Sequence, residues 1–362
     1  MQAMSIIILK GEDGMRQDQL LDVTIIGGGP AGLYAAFYSG LREMKTKIIE
    51  YQQQLGGKIH VYPEKMIWDI GGMTPAPGAQ VIERLVAQGL TFDPEVVLNE
   101  KIVKIEKTED KYFALHGSSG TVHYSKTVII ATGTGILNPQ KIEVEGAERF
   151  EVSNLNYTVK SLGRFKGKTV LISGGGNAAI DWANELQPIA KKVYLTYRKE
   201  NLNGHEAQVR QLLESGVVCH FNTNISRFIA SEDHSSIERV ELRHNEEEKV
   251  TTIAVDEVII NHGYARDTSL IGDQQLGVEL TEHKQIAGTC TSATSIEGMY
   301  AAGDVLSHKG KLHLIAGAFQ DAANAVNCAK IYIDPEANEN GMVSSHNELF
   351  KERNRELVKQ LI

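Results

Sequence analysis

Asp22-Val23-Thr24-Ile25-Ile26-Gly27-Gly28-Gly29-Pro30-Ala31-Gly32 is the stretch on which the fold turns. An apolar run, Val23 to Ile26, leads into glycines 27, 29 and 32, and a helix-like stretch follows. A Gly-x-Gly-x-x-Gly pattern is weak alone, but a strand before it and a helix after it make it a dinucleotide-binding signal. Gly27 permits the tight turn, Gly29 lets the backbone approach a pyrophosphate, and Gly32 lets helix and strand pack closely. Pro30 and Ala31 carry the chain into the helix, whose free N–H groups and positive dipole end suit phosphates. A second strand, Lys47 to Ile49, ends in Glu50, eighteen residues beyond Gly32. A carboxylate there accepts hydrogen bonds from both ribose hydroxyls and repels a 2′-phosphate, so the site suits an unphosphorylated adenosine, FAD or NAD.

The pattern recurs at Gly174-Gly175-Gly176-Asn177-Ala178-Ala179, after the apolar run Val170 to Ile172. Gly174 and Gly176 take the turn and approach positions, and Ala179 replaces the third glycine, as the fingerprint allows. The position matching Glu50 is Tyr197, followed by Arg198 and Lys199. A guanidinium binds a 2′-phosphate bidentately and an ammonium adds a point charge. The second site therefore reads as NADP(H) and the first, by elimination, as FAD. The rival reading of Arg198-Lys199 is a solvated charge pair. The expected class is α/β, with two Rossmann-like, three-layer dinucleotide-binding domains.

At 362 residues the chain has room for two domains of ordinary size. No apolar run approaches the roughly 20 residues of a membrane-spanning helix, and Ile6 to Leu9 is too short for a secretory h-region. A cytoplasmic protein is expected. Residues 1–19 read as an extension before the first strand, with Met15 an alternative start. The net charge of −9 argues against nucleic-acid and anionic-membrane partners. Cys219, Cys290 and Cys328 are far apart in sequence and form no Cys-x-x-Cys, which excludes a disulfide framework and a thiolate zinc site. The twelve histidines show no ligand spacing, so no metal is expected.

Residues 95–106 and 111–130 alternate like a meander that runs into Ala131-Thr132-Gly133, and a second meander follows the second fingerprint before Asn261-His262-Gly263. This is the pattern of a diverged duplication. A third short strand ends in Gly303-Asp304, a helix-like stretch covers Leu314 to Ile333, and a charged amphipathic segment closes the chain.

Taken together, the first fingerprint, the Ala-Thr-Gly strand end, the central second unit and Gly303-Asp304 resemble the thioredoxin-reductase-like flavoproteins over about residues 20–350. Tyr62-Pro63-Glu64-Lys65, Leu314-Ile315-Ala316 and Tyr332-Ile333-Asp334-Pro335 with a C-terminal extension are similar to the thioredoxin-reductase-like ferredoxin–NADP reductases. The resemblance implies an NADP domain, 138–262, inserted in a discontinuous FAD domain, 20–137 and 263–341, with a C-terminal extension, 342–362. It implies that Asp304, beside Gly303, bonds the flavin ribityl or pyrophosphate region. Lys58 would lie at the flavin or its phosphates, Tyr62 would stack on the isoalloxazine ring, and Ile102 would contact adenine. Leu137 stands where an aromatic is common. Ser345 or His346 would cover the other flavin face from the partner subunit of a homodimer. The chain departs from thioredoxin reductase itself: the interval Asn154 to Gly163, where that enzyme has its redox dithiol, holds no sulfur.

The reading is thus a flavoprotein oxidoreductase passing electrons from NADPH to ferredoxin or flavodoxin. An NADPH-dependent reductase of a low-molecular-weight disulfide and an NADPH oxidase share these motifs, and a flavin-bound redox sensor is the non-enzymatic alternative. Ferredoxins are acidic and so is this chain, so steering would need local cations. Lys309, Lys311, Arg353, Arg355 and Lys359 are the candidates, but Glu348, Glu352 and Glu356 interleave the last three, and the favoured reading of that segment is a solvated helix face.

Overall fold

The computed structural model describes residues 20–135, 137–266, 269–272, 277–341 and 343–361; the expected extension, 1–19, lies outside them. The chain forms two compact units. Met1–Leu55, Leu85–Gly133 and Thr268–Ile362 make the first, and Gly56–Arg84 and Thr134–Asp267 the second.

In the first unit the strands run in the order Glu95–Val97, Thr46–Ile49, Leu21–Ile26, Val122–Ile130, Phe113–Gly117, Ile102–Lys107. The nine-residue strand Val122–Ile130 does two jobs. Its first half pairs antiparallel with Phe113–Gly117, and its last three residues pair parallel with Met299–Ala301. Leu21–Ile26 and Thr46–Ile49 extend the parallel part. Five parallel strands, Glu95–Val97 among them, therefore end on one edge, and Gly27, Glu50, Ala131 and Ala302 follow the other four. That carboxyl edge is where open α/β sheets bind ligands. The strands leading to it are buried on both faces, so Val128 to Ile130 reads as a continuous apolar run and Val23 to Ile26 as one interrupted only by the buried Thr24. Helices Pro30–Leu41 and Ile315–Ile333 pack on each other, and Tyr34 meets Phe319 at 4.9 Å.

The second unit is built on five parallel strands in the order Leu155–Asn156, Glu257–Ile260, Thr169–Ser173, Lys192–Thr196, Val218–His220. Alternation along these strands feeds two cores. Val170, Ile172 and Ile259 face Ile180, Ala183 and Leu186 of the helix Asn177–Leu186. Leu171, Val258 and Ile260 face Ile225, Phe228 and Val240 of an antiparallel sheet, Thr223–Ala230, Ile237–His244 and Val250–Ala254. Helices, parallel sheet and antiparallel sheet give the three layers expected of such a domain.

The segment Gly56–Arg84 groups with the second unit for physical reasons that its sequence hides. Lys65 Nζ pairs with Asp181 at 2.8 Å and Glu185 at 3.5 Å, and lies 5.2 Å over the Trp182 ring. Glu64 accepts the Leu162 N–H, and Tyr62 packs on the core beneath that helix.

Candidate functional site

The two fingerprints fold alike. Gly27 has φ +110°, and a Cβ there would run into the carbonyl of Ala131, directly after the neighbouring parallel strand. Gly174 has φ +151°, and a Cβ would lie 2.5 Å from the carbonyl oxygen of Asn261, again directly after the neighbouring strand. Only glycine meets both demands, a positive φ and backbone contact. Each helix then starts from a glycine cap, Gly29 or Gly176, with no side chain bonded to the first turn. Pro30 stands at the first helical position, where a missing N–H costs nothing. The orphan N–H groups of both helix starts stay available to an anion. Ala31, Gly32 and Ala179 are buried, whereas Asn177 and Ala178 are exposed at their helix start.

The residues after the second strand set the difference between the sites. Glu50 is buried, its Oε2 accepting the Gly28 N–H at 2.6 Å and its Oε1 the Gln52 N–H at 2.8 Å. A carboxylate offers about four lone-pair positions, so two remain for a pair of ribose hydroxyls. In the second unit the Tyr197 ring fills the space a Gly175 side chain would need. Arg198 and Lys199 beyond it are exposed, with no ion-pair partner among the described residues. Their backbone is pinned: Asn245 Nδ2 donates to the Arg198 carbonyl at 2.8 Å, and the Asn222 N–H to the Lys199 carbonyl at 3.2 Å. Burial, and then the charge of Arg198, hold His262 below the ordinary histidine range, and its Nε2 lies 2.8 Å from Ser173 Oγ. These groups fit a dianionic phosphate, while Glu50 fits an uncharged ribose. The two cradles thus fit FAD in the first unit and NADP(H) in the second.

Gly303-Asp304 joins the first fingerprint. Gly303 has φ +79°, and a Cβ there would sit 3.0 Å from that of Ala31. Asp304 is half-exposed, with His313 Nδ1 at 3.8 Å. Ile102 is a core position at the start of its strand, and the Glu100 N–H nearby donates to the Glu50 carbonyl at 3.1 Å. Lys58, exposed on a short 3-10 turn, and Tyr62 belong to the second unit. Leu137 lies on a strand, Leu137–Pro139, paired with Tyr264–Arg266. Ser345 and His346 are exposed on a turn of the first unit. They lie near Leu41, whose carbonyl accepts Asn347 Nδ2, and so at the opposite end of the helix Pro30–Leu41 from its fingerprint.

Sequence reasoning missed three residues. Asn203 donates its N–H to the Gly175 carbonyl at 2.7 Å, and its signal was the Asn-Gly turn pair. Asn245 gave no local sign. Asp321 was legible only as one acid among alanines. Lys311 needs correcting: its side chain is buried against Asp321, so it cannot steer a partner. Arg353 is exposed, and its guanidinium donates to the Thr91 carbonyl at 2.8 Å. All three cysteines are free, and burial pushes the Cys219 and Cys328 thiols up, away from the reactive thiolate. Among the described residues no cluster of acids, histidines or cysteines is placed to hold a metal, and no helix is long and apolar enough to cross a membrane.

Residues 21–327 match the family model described as pyridine nucleotide-disulphide oxidoreductase. The chain is 68% identical over 348 residues to Ferredoxin--NADP reductase 1 of Bacillus mycoides (strain KBAB4), covering 96% of this chain and 100% of that one. It is 67% identical, with the same coverage, to Ferredoxin--NADP reductase 1 of Bacillus thuringiensis (strain Al Hakam). Its fold is similar to the crystal structure of T. acidophilum thioredoxin reductase, with a TM-score of 0.71, 24% identity, and coverage of 88% of this chain and all of that one.

Proposed function

This chain belongs to the pyridine nucleotide-disulphide oxidoreductase family, and from that premise we propose that it is an FAD-dependent reductase passing electrons from NADPH to ferredoxin. The observation that carries the reading is the pair of like-built cradles with unlike chemistry, a carboxylate at Glu50 and two exposed cations at Arg198 and Lys199. The name of the relatives, ferredoxin–NADP reductase, supports the acceptor. FAD, when bound, accepts hydride from a nicotinamide and gives electrons up singly, which suits a one-electron carrier. The chain's own groups do the rest. Glu50 holds the adenosine ribose, the uncapped helix start at Pro30 faces the diphosphate, and Asp304 orients the part of the cofactor next to it. Arg198 and Lys199 select the phosphorylated nicotinamide.

Sulfur takes no part in this proposal. The interval Asn154 to Gly163 carries none, and burial holds the Cys219 and Cys328 thiols protonated, which makes those two poor exchange partners. Lys58, Tyr62 and Leu137 are proposed flavin contacts by resemblance alone, as is Ile102 at the adenine. The domain division we propose is 20–137 and 263–341 for FAD, 138–262 for NADP(H), and 342–362 as an extension. We further propose a cytoplasmic homodimer that uses flavodoxin as a second acceptor. Supporting the dimer, Ser345 and His346 lie away from their own fingerprint, and Val343, Leu349, Leu357 and Val358 of the same tail are exposed. Anaerobic titration of the FAD-loaded protein with NADPH and NADH, followed by ferredoxin, flavodoxin, small disulfides and oxygen as acceptors, tests the reading. Faster turnover with a disulfide or with oxygen than with ferredoxin would replace it.

A further inference from the structure

The helix Ile315–Ile333 buries an alanine face, Ala318, Ala322, Ala325 and Ala329, with one charged residue on it, Asp321, which is 4% exposed. A buried carboxylate costs several kcal/mol unless it is paired and hydrogen-bonded. Here both oxygens are engaged. Oδ2 accepts the Gly303 N–H at 3.1 Å and the Lys311 ammonium, and Oδ1 lies 3.4 Å from His308 Nε2. The carbonyl of Asp321 also accepts Ser292 Oγ at 2.8 Å, which fixes the helix at this point. The Lys311 side chain is only 5% exposed. Two apolar residues would fill this volume with no charge to desolvate, so packing does not explain the pair. What a carboxylate supplies and an apolar residue cannot is an acceptor for the Gly303 N–H. Gly303 is the residue whose turn abuts Ala31 of the first fingerprint and presents Asp304.

We propose that Asp321 is a positioning residue for the flavin: by accepting the Gly303 N–H it fixes the Gly303–Asp304 turn against Ala31, and Lys311 neutralises it so that no net negative charge lies behind the cofactor's diphosphate. This rests on the reading that FAD occupies the carboxyl edge of the first unit.

The test uses the full-length protein, stripped of flavin and reloaded. FAD dissociation is followed by fluorescence, the flavin environment by its visible spectrum, and NADP⁺ binding serves as the control. Asp321→Leu with Lys311→Met removes charge and acceptor together. FAD should bind about tenfold or more weakly, with an altered flavin band, while NADP⁺ binding stays unchanged. Asp321→Asn with Lys311→Met keeps a neutral acceptor for the Gly303 N–H and should restore both affinity and spectrum. Asp321→Asn alone leaves the buried Lys311 ammonium without its counter-charge and offers both donors a neutral, weaker oxygen, which loosens the Gly303 N–H bond and should weaken FAD binding even if the Leu/Met pair does not fold. Wild-type affinity and spectrum in Asp321→Asn, or in the folded Leu/Met pair, would overturn the inference. A wild-type chain that never binds FAD would overturn the underlying reading with it.

Discussion

At position 27 one methyl group decides whether the first cradle exists. The backbone there has φ +110° and no room beside the Ala131 carbonyl, so Gly27→Ala strains the turn and pushes apart two strand ends. The purified variant should lose most of its flavin, read as the ratio of absorbance at the flavin band to that of the protein. Position 198 controls the other cradle. Arg198→Ala removes a bidentate phosphate ligand, so kcat/KM for NADPH should fall about tenfold or more while the value for NADH stays nearly constant. An equal fall for both nucleotides would make Arg198 structural. Both residues were legible in the sequence, because a glycine fingerprint and the residues eighteen and nineteen places beyond it act through local backbone geometry. Asn245 and Asp321 were not. Each reaches its partner, Arg198 or Gly303, across many residues of chain, and no periodicity encodes such a contact.

Strands and helices show a similar division. The continuous apolar runs announced the parallel strands and the alternation announced the meander. The sequence did not show that Val122–Ile130 serves both, since its pairing changes midway from Phe113–Gly117 to Met299–Ala301. Nor did it show that Gly56–Arg84 packs with the second unit, which depends on Lys65 meeting Asp181 far along the chain. The strand Glu257–Ile260 depends on a further hidden contact. Glu257 is 2% exposed and pairs with Arg164 at 3.0 Å and Lys168 at 2.7 Å, both of which are partly solvated. Replacing both cations by alanine strands the buried carboxylate and should cost about 3 kcal/mol or more. Glu257→Gln in the same background should recover much of that loss, because the charge is gone. Denaturant unfolding of the wild type and the two variants checks this, and equal stability of all three would show the carboxylate to be well hydrated.

For the molecule as a whole, acid is the informative variable. Burial, with the neighbouring Lys47 and Lys249 respectively, holds His123 and His220 below the ordinary histidine value. The unfolded chain therefore takes up protons that the folded chain refuses. Stability from these groups is fully present above about pH 6.5 and is lost as pH falls toward their lowered folded values. His123→Asn with His220→Gln should flatten that decline in unfolding midpoints between about pH 6.5 and 5, and an unchanged slope would move its origin elsewhere. On the proposed route electrons leave by way of the flavin, without a thiol. The most direct measurement is anaerobic, NADPH-driven ferredoxin reduction by the variant carrying Cys219→Ser, Cys290→Ser and Cys328→Ser. Turnover within about twofold of wild type is predicted, since thiol exchange is absent from the route; a loss of tenfold or more in a variant that still binds FAD would contradict it.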